Sequence, residues 1–378
     1  MPGPAAPPGP AELAAAGLYD PDAPDAADRL ELLQFLAGEG VTLADMAGAG
    51  EPEALVALAA QRPLGGGQAL LTIEEVAAAA HTSPDRVMRL RMASGLPAVP
   101  GEPMVPPSTV DDMAAFDAGA ALFGEVPTLS FSRVMGSAMA RVAEAAVSLF
   151  LIERRPQLVD GVSDAARARD TGQATAVFIG LAPAVMNNLL REHMARAIRR
   201  SVAERADEFG AGAVTVGLGF VDLVGSTAWA SGLSLTEHAL ALTGFESAAW
   251  DIAAAHHGRV VKLMGDEAMF IAPSAVDAAR IARELCRAVA ADPALPEARG
   301  AVGHGVVAAR DGDYFGPLVN LVAHAVEVAE PSTVVVTEVV RDALERNRGA
   351  GEEPWDVSAL SGVGLRGVDD AVRLFAVR

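Results

Sequence analysis

The segment 213-AVTVGLGFVDLVGST-227 decides the fold of the second half of the chain. Ala213 to Asp222 reads as a strand, rich in branched residues and closed by a glycine turn. Asp222 places a carboxylate at the strand's end. The following Leu223-Val224-Gly225-Ser226-Thr227 turn supplies a row of backbone N–H groups. One hard oxygen ligand beside several N–H donors suits a magnesium-bound triphosphate. Taken alone, the same pattern is more often a strand-ending Asp that caps a turn.

Working downstream, Ser234 to His257 reads as a helix opened by a Ser234/Glu237 capping box. Arg259–Leu263 and Ala268–Ile271 are short strands around Gly265-Asp266-Glu267, followed by an amphipathic helix from Ala275 to Ala291 and a strand from Ala301 to Ala308. This β-α-β-β-α-β order is the ferredoxin-like plan, with its helices expected on one sheet face. A helix over Leu318–Ala329, a strand over Thr333–Thr337 and a final strand pair near Leu365 and Val372–Val377 complete the α+β domain.

Three further segments carry chemistry. Lys262-Leu-Met-Gly265-Asp266-Glu267 puts a second Asp on a hairpin turn, so that pairing of neighbouring strands can bring two carboxylates together as a two-metal clamp. Asp313-Tyr-Phe-Gly316 precedes a helix on which Asn320 and His324 lie four apart, on one face. The Leu365-Arg366-Gly367 stretch ends the series. Singly, each is also ordinary turn chemistry.

FVDLVGST, then VVKLMGDEAMF, then GDYFGPLVN, in that order, resembles the class III adenylyl cyclase catalytic domain over roughly the last 165 residues. The resemblance implies that Asp222 and Asp266 bind two divalent ions, Mg2+ or Mn2+. It implies that Lys262 and Asp313 read the adenine edge of ATP, that Asn320 orients the ribose, and that Arg366 meets the terminal phosphates. It also implies a head-to-tail homodimer in which metal ligands and base readers of one site come from different subunits. At position 324 the family has an arginine and this chain has His324. A neutral imidazole brings no charge to the reacting phosphate. Three readings follow: a charged stand-in that favours acid pH, a slower enzyme, or a catalytically silent dimer kept as a nucleotide- or ligand-responsive sensor.

The first half reads differently. Residues 1–28 are Pro/Ala-rich and expected to be disordered. Helical patterns begin at Arg29. Leu71 to Pro97 reads as two short helices, with a Thr72/Glu75 capping box and Ser83-Pro84 at the second start. Helices near Thr109–Leu122 and Ser132–Arg154 follow, the second ended by Pro156. A coupling helix from about Ala184 leads to the junction at Gly210 and Gly212, so the expected domains are 29–183, 184–212 as linker, and 213–378. This half resembles the regulatory domain that precedes some actinobacterial cyclases, which implies an all-helical dimeric module taking a small-molecule or pH effector. Val134 to Leu151 is expected to face a core rather than a ligand.

The formal net charge of −20 argues against general attraction to nucleic acid or anionic membranes. Arg86, Arg89 and Arg91 on one short helix leave a DNA-binding regulator as a third reading. No basic-then-apolar leader and no long uninterrupted apolar run is visible, and Cys286 is the only cysteine. A cytoplasmic protein without a membrane span is the expectation.

Overall fold

In the computed structural model, residues 8–149, 162–203, 212–347, 355–360 and 372–378 are described. They divide into two compact units, Met1–His193 and Met194–Arg378.

The first unit is helical: α1 (Pro10–Ala15), α2 (Ala26–Gly38), α3 (Leu43–Ala49), α4 (Pro52–Gln61), α5 (Ile73–Ala79), α6 (Pro84–Ala93), α7 (Thr109–Phe123), α8 (Glu125–Leu149) and α9 (Asp164–Ala203). Leu13, Leu32, Leu33, Leu36, Met46 and Leu55 form one apolar cluster with Ala165 and Ala168 of α9. Ile73, Val76, Val87, Leu90, Met113 and Phe116 form another. The expected Thr72 capping box is present, Thr72 Oγ1 accepting from the Glu75 N–H at 3.1 Å. Ser83 precedes Pro84 of α6, but its hydroxyl makes no capping bond.

Several expectations are corrected here. The supposed disordered tail contains α1, whose Leu13 is fully buried among the leucines of α2. Two isolated apolar anchors in a Pro/Ala context give no periodicity to read, yet they suffice to dock the segment. The coupling helix starts twenty residues earlier than Ala184 and runs through Gly180 and Pro183, and the two units divide within it. A proline costs a helix one hydrogen bond and a clash, and the alanine-rich flanks of α9 favour helix strongly enough to continue past it. By length and composition alone α9 is apolar enough to cross a membrane, its hydropathy averaging 1.3 in the richest window with none of that window buried. The apolar side chains of α8 are not core either: Met135, Met139, Val142 and Val147 are exposed. The end of α8 at Pro156 lies outside the described residues.

Arg86 and Arg89, which suggested DNA, face acidic partners instead: Arg86 reaches Asp117 at 2.8 Å and Arg89 reaches Glu125 at 3.1 Å. Arg91 is buried and donates to the Pro97 carbonyl at 2.9 Å.

The second unit contains β1 (Ala213–Leu223), α10 (Ser226–Ala230), α11 (Leu235–Ala255), β2 (Arg259–Met264), β3 (Glu267–Ala272), α12 (Ala275–Ala291), β4 (Ala298–Arg310), β5 (Asp313–Phe315), α13 (Pro317–Glu327), β6 (Val334–Thr337), α14 (Glu338–Arg346), β7 (Val357–Leu360) and β8 (Leu374–Val377). The sheet order is β2-β3-β1-β4-β6-β8-β7, with β5 paired to β4. Its first four strands pair antiparallel and are the expected ferredoxin-like core. β6 then adds parallel to β4 across the α13 crossover. The strand expected at Leu365 lies outside the described residues; among the described residues β8 pairs antiparallel with β6 and β7.

Helices cover both faces of this sheet, not one. α11, α12 and α14 bury Val221, Leu223, Phe270 and Val302 on one side. Val322, Ala325 and Val326 of α13 pack over Leu218, Phe220, Met269 and Ala301 on the other. Alternation along β1 therefore sorts its residues, and Asp222 falls on the α13 face with Phe220 and Leu218. On the opposite face, small residues set the packing distance. Ala275, Ala278, Ala279 and Ala282 of α12 are buried, and a Cβ added at Gly217 would stand 2.5 Å from the Ser274 carbonyl oxygen and 2.8 Å from the Ala278 Cβ. Alanine contributes more here than its size suggests, because it lets helix and strand approach.

Gly217→Ala is expected to destabilise the protein by about 1–3 kcal/mol through overpacking, whereas Gly244→Ala, on α11 with only the Asp292 carboxylate near at 3.7 Å, is tolerated. Denaturant melts of the two variants check this; equal stability would refute the packing argument.

Candidate active site

The site grows from the register of β1. Asp222 stands opposite Glu267 of β3 and opposite Arg299 of β4. The Leu223 N–H donates to the Asp266 carbonyl at 3.1 Å, which ties the β2–β3 turn to the end of β1. The turn is possible because Gly265 takes a φ of 70°. Asp222, Asp266 and Glu267 thus gather at one end of the sheet, as the sequence spacing anticipated for the two aspartates.

Burial raises the Asp222 carboxyl pKa, the hydrogen bonds and charge of Arg299 oppose that, and Asp266 adds to it. Arg299 gives Nε and Nη2 to Asp222 Oδ2 at 3.3 and 3.2 Å, and its Nη1 donates to the Glu327 carbonyl at the end of α13 at 3.0 Å. Burial, with Asp222 and Asp266 beside it, pushes the Glu267 carboxyl up to about 7. The cost of this clustering is what a cation would relieve. Neither Arg299 nor Glu267 was singled out from the sequence, because their roles come from cross-strand register and no local motif marks them.

The turn after β1 is also formed as anticipated. Leu223 is buried, the Val224 N–H donates to the Glu297 carbonyl at 2.7 Å, and Gly225 is left-handed at the start of α10. Ser226 and Thr227 make the first turn of α10, where N–H groups have no intrahelical acceptor.

On the same sheet face, Lys262 Nζ donates to Asp313 Oδ2 at 2.7 Å. Asp313 opens β5, reached through a two-residue hairpin in which Asp311 and Gly312 have φ of 55° and 83°, the pattern of a type I′ turn. Its other oxygen accepts the Tyr314 N–H at 2.8 Å. The result is an ammonium donor and a carboxylate acceptor side by side. Asn320 is exposed on α13 and His324 is part-exposed one turn on, its Nδ1 4.0 Å from Glu327 Oε1. Among the described residues no hydrogen bond joins Asn320 or His324 to the carboxylate cluster. Arg366 lies outside the described residues. His256 caps α11 and pairs with Glu284 at 2.9 Å, away from this chemistry.

Among the described residues no group of three or more His, Cys, Asp or Glu side chains is arranged to hold a metal. Two aspartates fit Mg2+ nonetheless, since that ion takes one or two carboxylates and completes its shell with water and phosphate oxygens.

An unfolded glutamate ionises near 4.5 and folded Glu267 near 7, so the folded state holds the extra proton between those values. Glu267 therefore lowers stability as pH rises across that window. Metal-free Glu267→Gln is expected to lose less melting temperature than wild type between about pH 5 and 8; identical declines would sink the assignment.

Comparison with known proteins shows the family. Residues 12–198 match the family described as "Adenylate cyclase regulatory domain". An uncharacterized protein of Mycobacterium tuberculosis is 32% identical over 365 residues, spanning 96% of this chain and 92% of that one. A pH-sensitive adenylate cyclase of the same species is 26% identical over 364 residues, 93% of this chain and 88% of that one. An adenylate cyclase of Streptomyces coelicolor is 37% identical over 133 residues, 35% of each chain. With a matching regulatory region before a ferredoxin-like sheet that carries the aspartate and lysine pairings, the chain belongs to the class III adenylate cyclase family with an N-terminal adenylate cyclase regulatory domain.

Proposed function

We propose that the protein converts ATP to 3′,5′-cyclic AMP and pyrophosphate as a homodimer. The observation that carries this reading is the Lys262–Asp313 pair at 2.7 Å, held on the same sheet face as Asp222. A donor and an acceptor side by side match the ring nitrogen and exocyclic amine of adenine; the guanine edge presents the opposite order, so ATP is favoured over GTP. Asp222 and Asp266 are the residues that would hold two divalent ions, Mg2+ or Mn2+. When bound, these assist loss of the ribose 3′-hydroxyl proton and neutralise phosphate charge.

The chain's own groups do the rest. Backbone N–H groups of Gly225, Ser226 and Thr227 receive phosphate oxygens. Asn320 orients the ribose so that the 3′-oxygen lies in line with the α-phosphorus. The 3′-oxygen loses its proton and forms the new P–O bond as the bond to pyrophosphate breaks. Arg366, by the family resemblance, is the cation that meets the leaving pyrophosphate. Because Asn320 is exposed on α13 and unbonded to the carboxylates of its own chain, the reading requires a second copy to supply it. The N-terminal helical unit receives the controlling signal, a small molecule or protons, a reading supported by the pH-sensitive adenylate cyclase that is similar to 93% of this chain, and α9 contains residues of both units.

His324 favours a second reading, a catalytically weak or silent dimer that senses nucleotide. It sits where an arginine would neutralise the transferred phosphoryl group, and loss of such an arginine costs orders of magnitude in related chemistry.

Purified protein with ATP and Mn2+ is expected to form cyclic AMP, and Asp222→Ala to form none. His324→Arg is expected to raise the rate by about tenfold or more. If His324 acts as a charged stand-in, wild-type activity climbs from pH 8 toward 5.5 while the arginine variant stays flat. Silence of wild type and His324→Arg alike would refute the cyclase reading in favour of the sensor.

A further inference from the structure

β2 contains an irregularity with a consequence for the base-reading pair. Arg259 is opposite Ile271, Val260 opposite Phe270, and Lys262 opposite Met269, so one extra residue, Val261, interrupts the ladder. In a regular strand residues three apart point to opposite faces. The bulge restores parity, and Arg259 and Lys262 both fall on the α13 face, where Ile271 and Met269 pack.

Arg259 is not a surface charge. Its Nη2 donates to the Gly312 carbonyl at 3.2 Å and to the Tyr314 hydroxyl at 3.3 Å, and its guanidinium carbon stands 5.4 Å from the Tyr314 ring centre. Gly312 and Tyr314 are the residues immediately before and after Asp313. Tyr314 is buried, and its N–H fixes the second oxygen of Asp313. The guanidinium therefore brackets Asp313 from both sides, while Lys262, beyond the bulge on the same strand, meets its carboxylate.

We propose that Arg259 is a positioning residue for nucleotide specificity: it pins the Asp311-Gly312 hairpin to β2 so that Asp313 stays beside Lys262. The inference rests on the adenine-reading role proposed above for that pair. One nitrogen of the guanidinium donates twice while its plane stands near the ring, a combination that the shorter-reaching, more strongly hydrated ammonium of lysine reproduces only in part. Without the bracket a two-residue hairpin with one short strand is free to swing, and Asp313 leaves Lys262.

Composition provides an independent readout. Lys262 is the only lysine among the 29 basic residues of the chain, so an amine-reactive ester labels Lys262 and the N-terminus and no other side-chain amine. An ammonium held by a carboxylate reacts slowly, and one released from it reacts faster. The experiment compares wild type with Arg259→Met and Tyr314→Phe, measuring Lys262 labelling by peptide mass spectrometry and ATP and GTP kinetics with Mn2+; Arg259→Lys, which carries a second reactive amine, is compared in the kinetics alone.

Arg259→Met is expected to label at Lys262 severalfold faster, to raise the KM for ATP about tenfold with kcat within about threefold of wild type, and to narrow the ATP-to-GTP preference. Tyr314→Phe falls between, as does Arg259→Lys in its kinetics. Unchanged labelling in Arg259→Met and Tyr314→Phe, both still melting cooperatively, overturns the positioning role. So does an equal loss of kcat for both nucleotides without a change in KM, since that marks a merely structural residue. Faster labelling with an unaltered ATP-to-GTP ratio overturns the specificity role; if Lys262→Ala also keeps the ratio, the failure lies in the base-reading assignment itself.

Discussion

Everything at the candidate site depends on where β1 sits. It is the buried strand between β3 and β4, and its antiparallel register with both is continuous to its last residues. That register puts Asp222 level with Glu267 on one side and Arg299 on the other. A slip of one residue would send Asp222 to the α12 face, among alanines and valines, and bring Val221 to the site. Gly217 and the alanines of α12 guard against such a slip, because no larger side chain fits between them. The chemistry of the site is therefore secured by packing on the opposite side of the sheet.

What was legible in the sequence, and what was not, follows from the range of each interaction. Asp222, Gly225, Asp266 and Asp313 were readable because strand ends and glycine turns are local, and their chemistry is visible within a few residues. The amphipathic helix through Cys286 emerged with its expected ends, and burial pushes that thiol up to about 12, which makes it an inert packing group. Glu267, Arg299 and Arg259 were not readable, because each acts on a residue far away along the chain. The face occupied by α13 was equally hidden: an apolar stripe says that a helix is buried, not on which side of a sheet.

In the first half, the errors had a different origin. Composition suggested disorder through residue 28, and the coupling helix was expected only from about Ala184. In both places a few specific contacts or a strong average helix preference outweighed the local signal. The exposed apolar residues of α8 and α9, including Met135, Met139, Phe178 and Leu181, are the reverse case. Those of α8 read as core from their spacing, but the described residues do not cover them. A groove of about 790 Å3 between the two helices, lined by Val142, Val177, Phe178, Leu181 and Val185, belongs to this face.

The bulge at Val261 makes β2 a segment whose length carries information. Against β3 one residue is already surplus, so the loss of Val261 alone would leave Lys262 opposite Met269 on the α13 face. A second deletion before Lys262 would exchange the two classes of side chain beyond it. After that second loss the ammonium would enter the hydrocarbon layer beneath α11, and Leu263 would surface among the polar groups. β2 can therefore lose one residue without moving its lysine, and a second only by moving it.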